Sequence, residues 1–201
     1  MTWISTISYK DATGVLKKLY DRIKGPDNNV DNIMLAHSLR PHTMEGHMAL
    51  YKQVLHHPRN RLPKSYLETI GVYVSLLNRC HYCSEHHFAG LSRLLGDADR
   101  ATEIFTALES GNPAAVFSGQ DLAGLQYAAK LTNASAELSG ADIDVLRAAG
   151  FDDGEILEIN QVVAYFAYAN RTVLGLGVHT TGDIIGLSPN NSDDPDNWNH
   201  H

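Results

Sequence analysis

The stretch Leu67-Glu68-Thr69-Ile70-Gly71-Val72-Tyr73-Val74-Ser75-Leu76-Leu77-Asn78-Arg79-Cys80-His81-Tyr82-Cys83-Ser84-Glu85-His86-His87 decides the reading of this chain. Between Lys64 and Arg79 the one charged residue is Glu68, and a lone carboxylate in so apolar a segment is expensive to bury without a partner. Helical periodicity on both sides of Asn78-Arg79 predicts two antiparallel helices joined by a tight corner. With the second helix starting at Cys80, the side chains of Cys80, Cys83 and His87 fall at i, i+3 and i+7 on one face. Glu68 lies ten residues before Asn78 and His87 nine after it. At ~1.5 Å per residue, carboxylate and imidazole therefore arrive at the same level. Gly71, Val72 and Ser75, on the stripe of Glu68, are small and are expected to let the cysteine helix approach.

Two cysteines three residues apart can close a redox-active ring, or they can supply half of a zinc site. They are the chain's only two, too few for a secreted disulfide scaffold. The start of a helix, with its unsatisfied amides, favours a thiolate over a thiol.

Working outward, helical patterning dominates and the expected fold class is all-α. Helices are predicted at about Ala12 to Lys24 (with Val15, Leu16, Leu19 and Ile23 as its apolar stripe), Asp31 to Leu39, His42 to Leu55, Pro63 to Leu77, Cys80 to Leu95, Asp97 to Glu109, Gly119 to Leu131, Ala141 to Ala149 and Glu155 to Leu176. Ser139 is the expected cap of the eighth, and Asp152 or Asp153 that of the ninth. Only Trp3 to Ile7 alternates as a strand would. The expected organisation is one helical domain over 1–187, with an arm over about 1–60 that packs on a neighbouring subunit and a core over about 61–187. Residues 188–201 read as a polar, disordered tail, and His200 and His201 as a possible tag remnant. A faint repeat sets Glu158 over Glu68, Asn170 over Cys80 and Gly177 over His87, which would leave the second copy without reactive groups.

Over 201 residues the formal net charge is −7 and the sequence pI about 5.8, with lysines and arginines scattered singly. No basic stripe awaits a nucleic acid. No run approaches the ~20 apolar residues of a membrane span, and residues 1–10 lack the pattern of a signal peptide. A reducing, cytoplasmic setting is expected.

The motif Glu-x11-Cys-x2-Cys-x3-His, preceded by Val-Ser-x-x-Asn, resembles the core of the alkylhydroperoxidase D and carboxymuconolactone decarboxylase family. The similarity is strongest from Met48 to Leu95, and the wider layout, including Asn170-Arg171, resembles the peroxidase-related branch. The resemblance implies an all-helical fold with the CxxC at the start of a central helix and a homo-oligomer, trimer or hexamer. It also implies a thiol peroxidase: Cys83 is attacked by the hydroperoxide and becomes a sulfenic acid, Cys80 resolves it to a disulfide, and Glu68 and His87 form the proton relay. An external dithiol or protein reductant would reopen the disulfide; no cofactor and no metal is called for. Family members place a further histidine directly before the second cysteine, whereas here Tyr82 holds that position and the histidine is His81. His81, Tyr82 and His86 are therefore accessory candidates. His37, His42, His47, His56 and His57 read as solvated or backbone-satisfied, and Tyr73 and Tyr165 as core or pocket wall. Two further readings stay open: a lyase acting on a muconolactone-type ring, and a non-enzymatic redox sensor.

Overall fold

The computed structural model describes residues 2–187, 194 and 196–198. Among these residues there are nine α-helices and no strand: α1 Gly14–Ile23, α2 Asn32–Ala36, α3 Pro41–Leu55, α4 Lys64–Leu77, α5 His81–Leu95, α6 Ala98–Glu109, α7 Gly119–Asn133, α8 Gly140–Ala149 and α9 Asp153–Leu176. The start signals act as expected. Ser139 and Asp152 each form a reciprocal capping box, with Asp142 and Glu155 respectively, which satisfies orphan amides of α8 and α9. No helix among the described residues is long and apolar enough to cross a membrane.

The antiparallel pair α4 and α5 forms the centre, with α9 and α7 against α4 and α6 against α5. The corner between them is short because Arg79 adopts a left-handed conformation, φ 56°. Its amide bonds the carbonyl of Leu76 and that of Cys80 bonds the carbonyl of Ser75, a Schellman closure of α4. A non-glycine residue in that region costs of order 1 kcal/mol. The result is that Cys80, which follows at once, is the N-cap of α5.

Several expectations need correction. Val15 is exposed; the buried stripe of α1 is Leu16, Leu19, Tyr20 and Ile23, because a helical stripe advances by three and four. The segment Trp3 to Ile7 is no strand: the Trp3 amide bonds the Leu176 carbonyl and the Ile7 amide bonds Ser38. Residues of the arm pack on the chain's own core, where Tyr20, Met44, Met48 and Leu55 share one cluster with Leu67, Ile70 and Phe166. Of the tail, Trp198 is buried and the Arg22 guanidinium lies 3.5 Å over its ring. Residues 188–193, 195 and 199–201, including His200 and His201, lie outside the described residues.

Gly71 does not make room for α5. A Cβ there would stand 2.2 Å from Phe166 Cε2, so Gly71 admits α9 instead. Phe166 is fully buried and meets His87 edge-on at 4.6 Å between ring centroids. Gly71→Ala should therefore cost about 2 kcal/mol and lower Tm by roughly 4–8 °C. A thermal melt within 1 °C of wild type, by any estimate too small for such overpacking, would show that the ring moves freely.

Candidate active site

Glu68 is completely buried on α4. Its Oε2 lies 2.6 Å from Nδ1 of His87 on α5, the cross-helix pairing that the residue count required. Its other oxygen, Oε1, lies 3.5 Å from Nε2 of His56, at the C-terminal end of α3. One carboxylate thus sits between two imidazoles. With Nδ1 engaged by Glu68, His87 keeps Nε2 for exchange, the arrangement in which a carboxylate sets the tautomer of a working histidine. The Tyr51 ring stands against His56, His87 and Tyr165 at centroid distances of 4.7, 6.2 and 5.8 Å.

Both cysteines are free thiols and buried, and their surroundings differ. The sulfur of Cys80 accepts from the Cys83 thiol, then from the Cys83 amide and the Asn170 side chain, and these donors hold its pKa below the ordinary thiol value despite burial. Cys83 is pushed well above that value because it gives its hydrogen to Cys80 and is desolvated. The field of the helix start, expected to favour a thiolate, acts on Cys80 rather than on Cys83. The N-cap is Cys80, and the amide of Cys83 points at the Cys80 sulfur.

The two residues also face different spaces. Cys83 lines a cavity of about 50 Å³ together with His87, His86, Tyr82, His47 and Tyr165, while Met34, Met48, Ile33, Tyr51 and Ala169 complete most of the apolar wall. Cys80 lines a separate groove of about 290 Å³ with Arg79, His81, Ser84, Leu76, Leu77, Leu108 and Glu109. Of the accessory candidates, His81 is exposed in that groove, while Tyr82 and His86 belong to the Cys83 cavity. The Tyr82 hydroxyl donates to Asp183 at 2.6 Å, and His86 Nε2 lies 3.3 Å from the same carboxylate. Asp183 also accepts from the Asn32 amide and so ties the chain beyond α9 to α2 and α5.

Sequence reasoning missed His56, His47, Asp183 and Asn170 as site residues. Asn170 had surfaced only as the counterpart of Cys80 in the faint repeat and in the layout that resembles the peroxidase-related branch. It is fully buried, its Nδ2 donates to Ser75 Oγ at 3.1 Å and its Oδ1 accepts from Asn78 at 2.9 Å. Glu158, the counterpart of Glu68, accepts from the amides of Arg61 and Leu62 and plays a structural part.

Residues 41–117 match the carboxymuconolactone decarboxylase family. Among solved structures, an uncharacterized peroxidase-related protein from Silicibacter sp. TM1040 is 27% identical, with 89% of this chain and 91% of that one covered and a TM-score of 0.74. The chain is similar to the carboxymuconolactone decarboxylase family over residues 41–117, and to solved peroxidase-related proteins over most of its length. A second such structure, an uncharacterized peroxidase-related protein with an alkylhydroperoxidase AhpD core from Ralstonia eutropha JMP134, is 23% identical with a TM-score of 0.73, again over 89% and 91% of the two chains. The fold is also shared by the debrominase Bmp8 in complex with 2,3,4-tribromopyrrole, at 17% identity and a TM-score of 0.67 over 89% and 91%. No curated protein sequence matches the chain. The all-helical architecture is that of the alkylhydroperoxidase D fold.

Proposed function

We propose that this protein is a thiol-dependent peroxidase. The observation that carries the reading is that Cys83 and the Glu68-anchored His87 line one cavity while its redox partner Cys80 lines another. In the reduced pair Cys80 is the more acidic thiol and Cys83 holds its hydrogen the more tightly. When that hydrogen passes to His87, with Glu68 stabilising the imidazolium, the Cys83 thiolate attacks the distal oxygen of the hydroperoxide. The O–O bond breaks, an S–O bond forms, and the alcohol leaves with the proton, so that Cys83–SH and ROOH become Cys83–SOH and ROH. Cys80 then attacks the sulfenic sulfur. The S–S bond forms and water departs.

Reduction needs two electrons from a dithiol outside the chain. One of its sulfurs attacks Cys80 from the groove, Cys83 leaves and is reprotonated by His87, and the second donor sulfur closes the donor's own disulfide and frees Cys80.

Peroxide consumption with a panel of dithiol donors tests the reading, together with non-reducing mass mapping after one equivalent of peroxide. Turnover with at least one donor and a Cys80–Cys83 link are expected. Thiols that stay free, or a link that forms without any turnover, would remove the peroxidase reading. Full activity of a double Cys→Ser variant on a muconolactone-type ring would support the lyase alternative instead.

A further inference from the structure

The Cys83 cavity holds polar groups that the mechanism above leaves unused. Tyr165, on α9, is buried, and its hydroxyl lies 3.3 Å from Nε2 of His47, on α3, which is also buried. Both residues line the cavity opposite the α5 face that carries Cys83 and His87. When His47 donates through Nε2, the phenol oxygen is the acceptor and its own hydrogen is left to point elsewhere. In a space of about 50 Å³, a group that enters to meet the Cys83 sulfur also meets that hydroxyl.

We propose that Tyr165 is a catalytic hydrogen-bond donor to the departing oxygen of an organic hydroperoxide, and that His47 is the positioning residue that orients its hydroxyl. The assignment rests on the peroxidase reading. As the Cys83 thiolate takes the distal oxygen, the electron pair of the O–O bond collects on the alkoxide, which accepts the Tyr165 hydrogen and leaves as the alcohol. The phenolate is refilled across the cavity by the proton that Cys83 had given to His87, so the balance of the step is unchanged. Burial, reinforced by the charges of Tyr51, Cys83 and Glu68, keeps the Tyr165 phenol protonated far above neutrality, as a donor must be. Ile33, Met34, Met48 and Ala169 give an alkyl group an apolar wall, beside the polar Asp31, Tyr51, Tyr82 and His86. The substrate class is accordingly an alkyl hydroperoxide, whose alkoxide is a basic leaving group and needs a donor. A peracid, whose carboxylate leaves unaided, does not.

The test is single-turnover oxidation of the full-length reduced protein by an alkyl hydroperoxide, hydrogen peroxide and a peracid. Tyr165→Phe should slow the alkyl hydroperoxide by about 30-fold, the scale of one hydrogen bond to a developing charge, and leave the peracid rate near that of wild type. His47→Gln, which keeps a donor toward Tyr165, should hold near wild type, while His47→Leu should repeat the leaving-group pattern of Tyr165→Phe in weaker form. Equal losses for all three oxidants, or no loss, would overturn the assignment while the peroxidase reading stood. A wild-type dithiol inert to every oxidant would overturn both.

Discussion

Cys83→Ser should lower catalytic peroxide consumption by at least about 1,000-fold, because no other thiol lines the cavity. Cys80→Ser should behave differently. Its Cys83 can still form the sulfenic acid, but nothing resolves it, so a sulfenic-acid trap should label Cys83 in a single burst without turnover. The lowered pKa of Cys80 argues for the opposite order, in which Cys80 attacks peroxide as the more readily formed thiolate. Access weighs against that order: Cys80 faces the groove, away from His87, while Cys83 shares its cavity with the relay. A resolving cysteine that ionises readily suits the second step, in which it attacks the sulfenic sulfur. The decisive measurement is peptide mapping of the trapped label in each single variant. A label on Cys80, with faster oxidation retained in Cys83→Ser, would reverse the assignment.

The second large effect belongs to the relay. Glu68→Gln and His87→Asn should each slow oxidation of the dithiol by on the order of 100-fold, the loss typical of a positioned acid or base. Helical circular dichroism should be kept. Glu68→Gln preserves volume and can still meet Nδ1 of His87, but it removes the charge that stabilises the imidazolium. His56, 3.5 Å from the other oxygen, then loses its carboxylate partner too. The two substitutions should be far from additive in the double variant, because they break one unit. Rates within a factor of about three of wild type would take the pair out of the mechanism and leave it as a structural contact.

The hairpin of α4 and α5 was legible because its geometry is local arithmetic. Ten residues before a corner and nine after it meet at one height whatever surrounds them, and Glu68 and His87 do meet. Helix starts were legible where a side chain caps its own helix, as at Ser139 and Asp152. The rest of the site was not, because it depends on which faces the fold brings together. His47, His56 and Asp183 stand 36, 27 and 100 residues from Cys83 along the chain, and nothing in their neighbours separates them from surface residues. Gly71 was read correctly as a point of close approach but assigned the wrong partner, since a small residue says that something comes near and not which helix brings it. The greater acidity of Cys80 follows from the corner: Arg79 makes Cys80 the cap, and the cap is where the amides converge.

The tie from Asp183 to Tyr82, His86 and Asn32 bears on the order of events during synthesis. Cys83 is made in the first half of the chain, but its covering residues Tyr165 and Ala169 come from α9, and the bracing carboxylate follows about fourteen residues later again. Asn170, which touches both sulfurs, also arrives late. A chain that grows from its N-terminus therefore carries an uncovered pair of thiols for close to a hundred residues of elongation. The buried dithiol is a property of the finished chain, and until that point the pair depends on a reducing ribosomal environment for its protection.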